Sequence, residues 1–171
     1  SINVTISQPS GITASMSSTD PSCNTGTYGT ATVTISGGTA GYTYSWSTIP
    51  AQTSSAVTGL SATSYTVTVI DSKSCLRTNS VTITQPTAIT ATMSFTAPSC
   101  NGETNGTATT NVAGGTSGYT YSWTTIPAQT GSSVTGLSDG IYTVTVTDSK
   151  SCTRTNSVSI TEPTSMTVTM S

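Results

Sequence analysis

The chain repeats itself with a period of 77 residues, and this period constrains every fold that it can adopt. Cys23, Trp46 and Cys75 return as Cys100, Trp123 and Cys152 in the second copy. Residues 14–90 align with residues 91–167 without a gap, and 54 of the aligned positions are identical. Because no loop changes length between the copies, the two copies must share one fold.

Short segments of alternating apolar and polar residues recur between glycine, proline and asparagine, a pattern typical of a β-sandwich. No segment has sustained helical periodicity. In the second copy the alternation predicts strands over residues 89–95, 107–112, 119–125, 132–137, 141–147 and 153–161, and the first copy follows 77 residues earlier. The predicted fold class is all-β, with two tandem immunoglobulin-like β-sandwich repeats in an elongated rod.

Aromatic side chains are predicted to form the centre of each core. Side chains two apart on a strand share one face, so Tyr121 and Trp123 point the same way. Tyr142 opens an alternating strand five residues after Leu137, which resembles the tyrosine corner of immunoglobulin-like sandwiches. With their counterparts in the first copy, the predicted core aromatics are Tyr44, Trp46, Tyr65, Tyr121, Trp123 and Tyr142.

Two loop signals recur in both copies. Gly37-Gly38 precedes the aromatic strand and is predicted to turn the chain with positive φ angles. Asp71 begins a loop between two alternating strands, where its carboxylate is predicted to cap backbone N–H groups. Asp148 has the same predicted role in the second copy.

Each copy carries two cysteines, and an even number of cysteines in a chain without histidine suggests an oxidising compartment. We predict disulfides from Cys23 to Cys75 and from Cys100 to Cys152, because pairing within a copy repeats identically along an array of any length. Closing such a loop stabilises a domain by about 4 kcal/mol in the loop-entropy model. The alternative pairing of Cys75 with Cys100 would stiffen the junction between the copies, and the sequence leaves it open.

Charged residues are scarce: four are basic and six are acidic, giving a net charge of −2. This charge provides no electrostatic footprint for nucleic acid or for an anionic membrane. No apolar run approaches the roughly 20 residues that cross a bilayer. We therefore expect no nucleic-acid partner and no membrane insertion.

The ends of the chain align with parts of further repeats. Val4 and Ile6 correspond to Val81 and Ile83. We therefore predict four segments: 1–8 as the closing strand of a preceding repeat, 9–85 as repeat 1, 86–162 as repeat 2, and 163–171 as the opening strand of a following repeat. The junction at 84–87 is short and contains Pro86, so stacked repeats should form a semi-rigid rod.

A set of motifs recurs in a fixed order: Pro-Ser-Cys-Asn at 98–101, Gly-Gly-Thr at 114–116, Gly-Tyr-Thr-Tyr-Ser-Trp at 118–123, Thr-Gly-Leu at 135–137, Tyr-Thr-Val-Thr-Val-Thr-Asp at 142–148 and Ser-Ile-Thr-Glu-Pro at 159–163. This order resembles the SprB repeat of giant surface adhesins of gliding Bacteroidetes, over nearly the whole chain. One departure is Ser-Lys-Ser-Cys, where the family usually has glycine before the cysteine.

The resemblance implies export by the type IX secretion system and display on the outer surface as long filaments that support adhesion and gliding motility. The expected location is extracellular, on the outer membrane or in a secreted filament. The expected partners are neighbouring repeats of the same chain, with surface polysaccharide or an abiotic substratum as further candidates. The family has no catalytic residues to carry over.

The sequence lacks the residues that acid–base or nucleophilic catalysis requires, because histidine is absent and no acid pair recurs in both copies. We therefore expect no enzyme activity, no cofactor and no metal. Calcium is the strongest metal candidate, but Glu103 and Asp139 become Gly26 and Ala62 in the first copy. Only the loop aspartates, Asp71 and Asp148, remain shared, and one carboxylate per repeat makes a poor calcium site.

We predict that the chain is a structural spacer, a repeat unit of such an adhesin filament, and two alternatives to this function remain. The aromatic set Tyr42, Tyr44 and Trp46 could bind polysaccharide if its rings were exposed, although their common face favours burial. Repeats could also associate laterally into a sheath or fibre, which would need a contact above about 1,000 Å² between chains. Exposure of the tryptophans separates the first alternative from the spacer.

Overall fold

A computed structural model describes residue 8 and residues 10–170 of the chain. Contacts divide the chain into two compact units, and the boundary lies between Gln85 and Pro86. Both units are all-β, and each is an immunoglobulin-like β-sandwich. Among the residues described, no helix is long and apolar enough to cross a membrane.

Repeat 1 is built from short strands that alternate apolar and hydroxyl-bearing residues. They are β1 (Thr13–Thr19), β2 (Gly29–Ser36), β3 (Thr43–Trp46), β4 (Ala56–Leu60), β5 (Ser64–Ile70) and β6 (Leu76–Thr82). Repeat 2 repeats them as β7 (Thr90–Thr96), β8 (Gly106–Ala113), β9 (Thr120–Trp123), β10 (Ser133–Leu137), β11 (Gly140–Thr147) and β12 (Thr153–Ile160). Every predicted strand of the second copy is confirmed, with ends within two residues of the prediction.

Each repeat packs two three-stranded antiparallel sheets. In repeat 1 the strand orders are β1-β2-β4 and β3-β5-β6, and in repeat 2 they are β7-β8-β10 and β9-β11-β12. The register of the second sheet pairs Tyr65 with Val81 and Ile70 with Leu76. This register places alternate residues of β5 on the inner face, where they meet the other sheet.

The core of each repeat lies between its two sheets. On β5, Tyr65, Val67 and Val69 are buried, whereas Ser64 and Thr66 are exposed. Full burial of a valine side chain contributes about 1.5–3 kcal/mol, so this one alternating strand is a major source of stability. The predicted assignment of the alternating valines to the core is confirmed, and the equivalent Val144 and Val146 are completely buried.

One core position differs between the repeats. Repeat 1 buries Val33 at 3% exposure, and repeat 2 buries Thr110 at 3% exposure in the same place on β8. Within the described part of the chain, the Thr110 hydroxyl oxygen has no hydrogen-bond partner. A buried hydroxyl that lacks a partner costs about 1–3 kcal/mol, so repeat 2 carries a penalty that repeat 1 avoids.

We expect Thr110→Val to stabilise repeat 2 by about 1 kcal/mol, because valine keeps the shape of the side chain and removes the unpaired hydroxyl. Urea unfolding followed by circular dichroism and by tryptophan fluorescence, to which Trp46 and Trp123 both contribute, measures the change. The reciprocal substitution Val33→Thr provides the matched control and should destabilise repeat 1 by a similar amount. A loss of stability in the Thr110→Val protein would show that the hydroxyl is satisfied in solution.

The structure describes only part of the two segments that the sequence assigns to neighbouring repeats. The predicted closing strand over 1–8 lies outside the described residues except for Gln8. Residues 163–170 form no strand, and Met166, Val168 and Met170 are exposed. Their counterpart β7 is held by pairing with β8, and no described strand is paired with 163–170. The assignment of both segments to further repeats therefore stays a prediction.

Candidate functional site

The chain enters repeat 1 at one end of the sandwich, which we call the N-terminal end. There the Gly38 N–H donates to the Ser10 carbonyl at 2.8 Å, and the Asp71 N–H donates to the Cys75 carbonyl at 3.1 Å. Gly37 and Gly38 have φ angles of 71° and 69°, which confirms the predicted glycine turn. In repeat 2, Gly115 makes the same bond to Thr87 at 2.8 Å.

Asp71 joins the two loops at this end. One oxygen, Oδ1, accepts from the backbone N–H groups of Lys73 at 2.9 Å and Cys75 at 2.8 Å. The other, Oδ2, accepts from the Thr39 N–H at 2.9 Å and so ties the hairpin loop to the glycine turn. Asp148 repeats the three bonds with Lys150, Cys152 and Thr116. The predicted local cap is present, and the bond to Thr39 adds a long-range link.

These bonds lower the pKa of Asp71 below its ordinary value of 3.8. The Thr39 N–H is the largest cause, followed by the Cys75 N–H, and burial of the carboxylate opposes them. Hydrogen bonds from N–H groups favour the ionised carboxylate, and these three bonds form together only in the folded chain. The stability that they provide is therefore complete above about pH 4 and is lost as the pH falls through the lowered pKa of the folded state.

We expect Asp71→Asn to lower the unfolding temperature of repeat 1 at neutral pH and to flatten its dependence on pH below about 4. The amide has one oxygen and no charge, so it cannot accept all three N–H bonds with the same strength. Thermal unfolding between pH 2 and 7 measures both effects. Asp139→Asn, at an exposed position of repeat 2, is the matched control. If the unfolding temperature of the Asp71→Asn protein fell below pH 4 as steeply as that of the unsubstituted protein, the stabilising role of the Asp71 carboxylate would be contradicted.

Ser74 and Ser151 adopt positive φ angles of 64° and 65°. These serines stand where the resembled family usually has glycine, before the cysteine of the hairpin loop. The loop therefore keeps the left-handed conformation that glycine favours, although a serine occupies the position. Both serines therefore hold a backbone conformation that glycine adopts more easily.

The chain leaves repeat 1 at the opposite end, which we call the C-terminal end. There Asp20 accepts the Thr84 N–H at 2.9 Å, and the Gln85 side chain accepts the Thr25 N–H at 2.8 Å. In repeat 2, Glu162 accepts the Gly102 N–H at 2.7 Å. In both repeats the loop between the first two strands is therefore clamped to the outgoing chain.

The cysteines of a repeat lie at opposite ends of its sandwich, so the predicted pairing within each copy is wrong. Cys75 lies in the hairpin loop at the N-terminal end, and Cys23 lies in the loop clamped to Gln85 at the C-terminal end. The chain from Cys75 to Gln85 is largely extended and spans roughly 30 Å at about 3.3 Å per residue. A disulfide requires Cα atoms closer than about 7 Å.

The oxidation states agree with this geometry. Cys75 and Cys100 carry free, exposed thiols, which rules out Cys23–Cys75, Cys100–Cys152 and the junction pair Cys75–Cys100 in this structure. Cys23 and Cys152 are in the disulfide-bonded state. Sequence reasoning identified disulfide chemistry and chose the wrong partners, because the distance between loops depends on which ends of the strands they connect.

Both tryptophans lie inside their cores. Trp46 is 2% exposed and Trp123 is 3% exposed. The Trp46 indole N–H donates to the Ser54 carbonyl at 2.9 Å, and its backbone N–H donates to the Gln52 carbonyl at 3.0 Å. The loop after β3 therefore folds over the ring and satisfies its polar atom. No indole face is available to stack on a sugar.

The predicted core tyrosines lie in or against the same two cores. Tyr65 is buried, and its hydroxyl accepts the Ser61 N–H at 3.2 Å, the upstream contact of a tyrosine corner. Tyr142 is half-buried and donates to the Ser138 carbonyl at 3.3 Å. Tyr44 and Tyr121 are half-buried against the two cores. The candidate platform of Tyr42, Tyr44 and Trp46 is therefore packed against the core rather than displayed.

A groove of about 650 Å³ opens beside the loop after β3 in repeat 1. Its walls include Thr48, Gln52, Ser61 and Tyr65. Gln52 is occupied by bonds to the backbone of Thr58 at 3.0 and 3.3 Å, and only 9% of Tyr65 is exposed. The groove therefore offers hydroxyl groups without an exposed aromatic face.

Within residue 8 and residues 10–170, no group of three or more histidine, cysteine, aspartate or glutamate residues is arranged to hold a metal ion. The shared aspartates Asp71 and Asp148 each direct both carboxylate oxygens to backbone N–H groups. These carboxylates act as loop caps in the folded protein.

Two segments of the chain match the family model described as the SprB repeat, residues 15–51 and 92–128. They are offset by the 77-residue period, so one match falls in each repeat and the predicted resemblance is confirmed. Each match begins in the first strand and extends past the buried tryptophan to the loop that covers it. No curated protein matches the sequence.

Among solved structures the chain is similar to immunoglobulin-domain proteins. A Dscam structure on isoform specificity shares 12% identity at a TM-score of 0.37, and the match covers 91% of this chain and 47% of that one. The amphioxus IgVJ-C2 molecule shares 14% identity at a TM-score of 0.36, and the match covers 72% of this chain and 90% of that one. A chain in the complex of Dpr11 IG1 with DIP-gamma IG+IG2 shares 10% identity at a TM-score of 0.31, and the match covers 82% of this chain and 92% of that one. The chain thus spans about half the length of the Dscam structure.

Proposed function

We propose that this chain, which carries two SprB repeats, is a spacer segment of a long extracellular adhesin. In this role the repeats hold a distal binding region away from the cell and take no part in chemistry. The observation that carries the proposal is the complete burial of both tryptophans, with their N–H groups bonded to backbone carbonyls. The two tryptophans, the residues best suited to stack on a sugar ring, instead pack in the cores of the sandwiches.

The outer surface supports the same role. The exposed faces of the sheets carry serine and threonine, which pair with each other across strands, as Ser64 does with Thr82 at 2.8 Å. Such hydroxyl pairs stabilise a sheet and keep it soluble with few charges. With no histidine in the chain, the repeats are proposed to be non-enzymatic.

The finer parts of the proposal concern location and use. A disulfide-bonded state at Cys23 and Cys152 supports an oxidising, extracellular location. The SprB matches support display on the cell surface as a filament, export by type IX secretion and a role in gliding motility. Neighbouring repeats are the proposed partners, and contact with polysaccharide or substratum is assigned to other parts of the adhesin.

Antibodies raised against the two-repeat protein test the location and the role together. They should label intact, unpermeabilised cells, and the added protein should not compete with cells for adhesion to a polysaccharide-coated surface. Labelling only after permeabilisation would overturn the surface location. Saturable binding of the purified protein to the polysaccharide, with a change in tryptophan fluorescence, would favour a binding module instead.

A further inference from the structure

The first and last strands of each repeat lie beside each other, although they belong to different sheets. In repeat 1, β1 is an edge strand of one sheet, β6 is an edge strand of the other, and the two strands contact each other. The chain before β1 is bound through Ser10 at the N-terminal end, and β1 reaches the C-terminal end at Asp20. β6 follows the hairpin loop of the N-terminal end and leads to Thr84 at the C-terminal end. The two strands therefore run parallel.

One side chain connects these two strands. Asn79 on β6 is half-buried on the inner face of its sheet, which it shares with Val81. Its side-chain amide donates to the Ala14 carbonyl on β1 at 2.7 Å, and its side-chain oxygen accepts the Ser80 N–H at 2.9 Å. Asparagine is depleted in strands, where its amide competes for backbone hydrogen bonds. Here that amide supplies a donor to a carbonyl of the edge strand of the other sheet.

Repeat 2 contains the same connection. Asn156 on β12 donates to the Ala91 carbonyl on β7 at 2.6 Å, and its side-chain oxygen accepts the Ser157 N–H at 2.9 Å. β7 and β12 are edge strands of their sheets and contact each other as β1 and β6 do. The connection between the first and last strands thus recurs with the 77-residue period of the chain.

We propose that Asn79 and Asn156 are tension-bearing ties, which keep the first and last strands of their repeats from sliding past each other when the chain is stretched. The inference rests on the proposed function, because a spacer in an adhesin carries tension along the chain. Tension pulls the start of the first strand and the end of the last strand in opposite directions. In a repeat whose terminal strands are parallel, every bond between these two strands is then loaded at the same time.

A second connection between the terminal strands lies at the C-terminal end of repeat 1. Asp20, directly after β1, accepts the N–H of Thr84 at 2.9 Å and also accepts the Thr84 hydroxyl. At about 3.3 Å per residue, Ala14 lies roughly 20 Å from Asp20, and Asn79 lies roughly 17 Å from Thr84. The similar spacing agrees with parallel strands. Two separate connections therefore resist sliding of β1 against β6.

Constant-force stretching of the two-repeat protein from its ends measures the rate at which each repeat unfolds under load. Reducing conditions ensure that no disulfide shields part of the chain from the load. Asn79→Ala should raise the unfolding rate of repeat 1 about five-fold at a given force, the factor expected for the loss of one hydrogen bond, and leave repeat 2 unchanged. Asn156→Ala should accelerate repeat 2 at least as much, because Ala97 stands there in place of Asp20 and has no carboxylate.

Gln52→Ala is the matched control. The Gln52 amide also bonds to the backbone of a strand, at Thr58, but that strand is neither the first nor the last of the repeat. In urea without load, Asn79→Ala and Gln52→Ala should raise the unfolding rate of repeat 1 to a similar extent. Under load from the ends, Gln52→Ala should change the rate less than about two-fold, because its bonds do not join the strands that are pulled.

Equal unfolding rates of the two variants under load would contradict the tension-bearing role of Asn79. If circular dichroism shows that Asn79→Ala does not fold, Asn79→Asp replaces it, because aspartate can still accept the Ser80 N–H but has no N–H to donate to Ala14. Loss of the tension-bearing role would leave the spacer function standing. Absence of surface labelling would instead overturn the spacer function without changing the response to force.

Discussion

Replacing Trp46 with alanine is expected to destabilise repeat 1 by about 3–5 kcal/mol, the usual cost of removing a large aromatic side chain from a packed core. A domain of this size has a total stability of roughly 4–12 kcal/mol, so the loss removes much of it. The ring is 2% exposed. Its removal also breaks the hydrogen bond from the indole N–H and leaves the Ser54 carbonyl without this donor. Repeat 1 should therefore unfold at low denaturant concentration.

The protein contains two tryptophans, one in each repeat, which makes the measurement selective. In the Trp46→Ala protein, circular dichroism reports on both repeats and Trp123 fluorescence reports on repeat 2 alone. We expect an early transition by circular dichroism and an unchanged midpoint by fluorescence. Thr66→Ala, on the exposed face of β5, is the control and should change stability by less than about 0.5 kcal/mol. A fluorescence midpoint that fell with the early transition would show that the repeats unfold as one unit.

Gly37→Ala is expected to destabilise repeat 1 by about 2–4 kcal/mol. A Cβ at this position would lie 2.3 Å from the Gly11 carbonyl oxygen, and the φ angle of 71° is unfavourable for alanine. Both effects act on the turn that holds the incoming chain through the Gly38–Ser10 hydrogen bond. The glycine turn is therefore required by close backbone approach as well as by its φ angles.

Gly11→Ala provides a matched control for this clash, because a Cβ on Gly11 would meet nothing within 4 Å. The substitution adds the same methyl group to the other partner of the contact and should change stability by less than about 1 kcal/mol. Urea unfolding by circular dichroism compares the two proteins. Equal stabilities for Gly37→Ala and Gly11→Ala would contradict the close approach.

Much of the architecture was predictable from local pattern. Alternation along 141–147 identified Val144 and Val146 as core residues, since a strand has a period of two and both valines lie on one face. Gly114-Gly115 identified a turn, because only glycine adopts positive φ without steric cost. Asp148 was identified as a loop cap from its place before a hairpin, although its bond to Thr116 required knowledge of a distant loop.

The sequence by itself determined the period, the strands, the buried aromatics and the resemblance to the SprB repeat, because each depends on residues close together in the chain. Tertiary structure alone decided which cysteines could meet. Cys23 and Cys75 are in one repeat, yet the order of strands in the two sheets sends their loops to opposite ends. Distances between loops follow from strand direction and length, which no local pattern of residues encodes, so only the fold showed that the two cysteines of one repeat cannot pair.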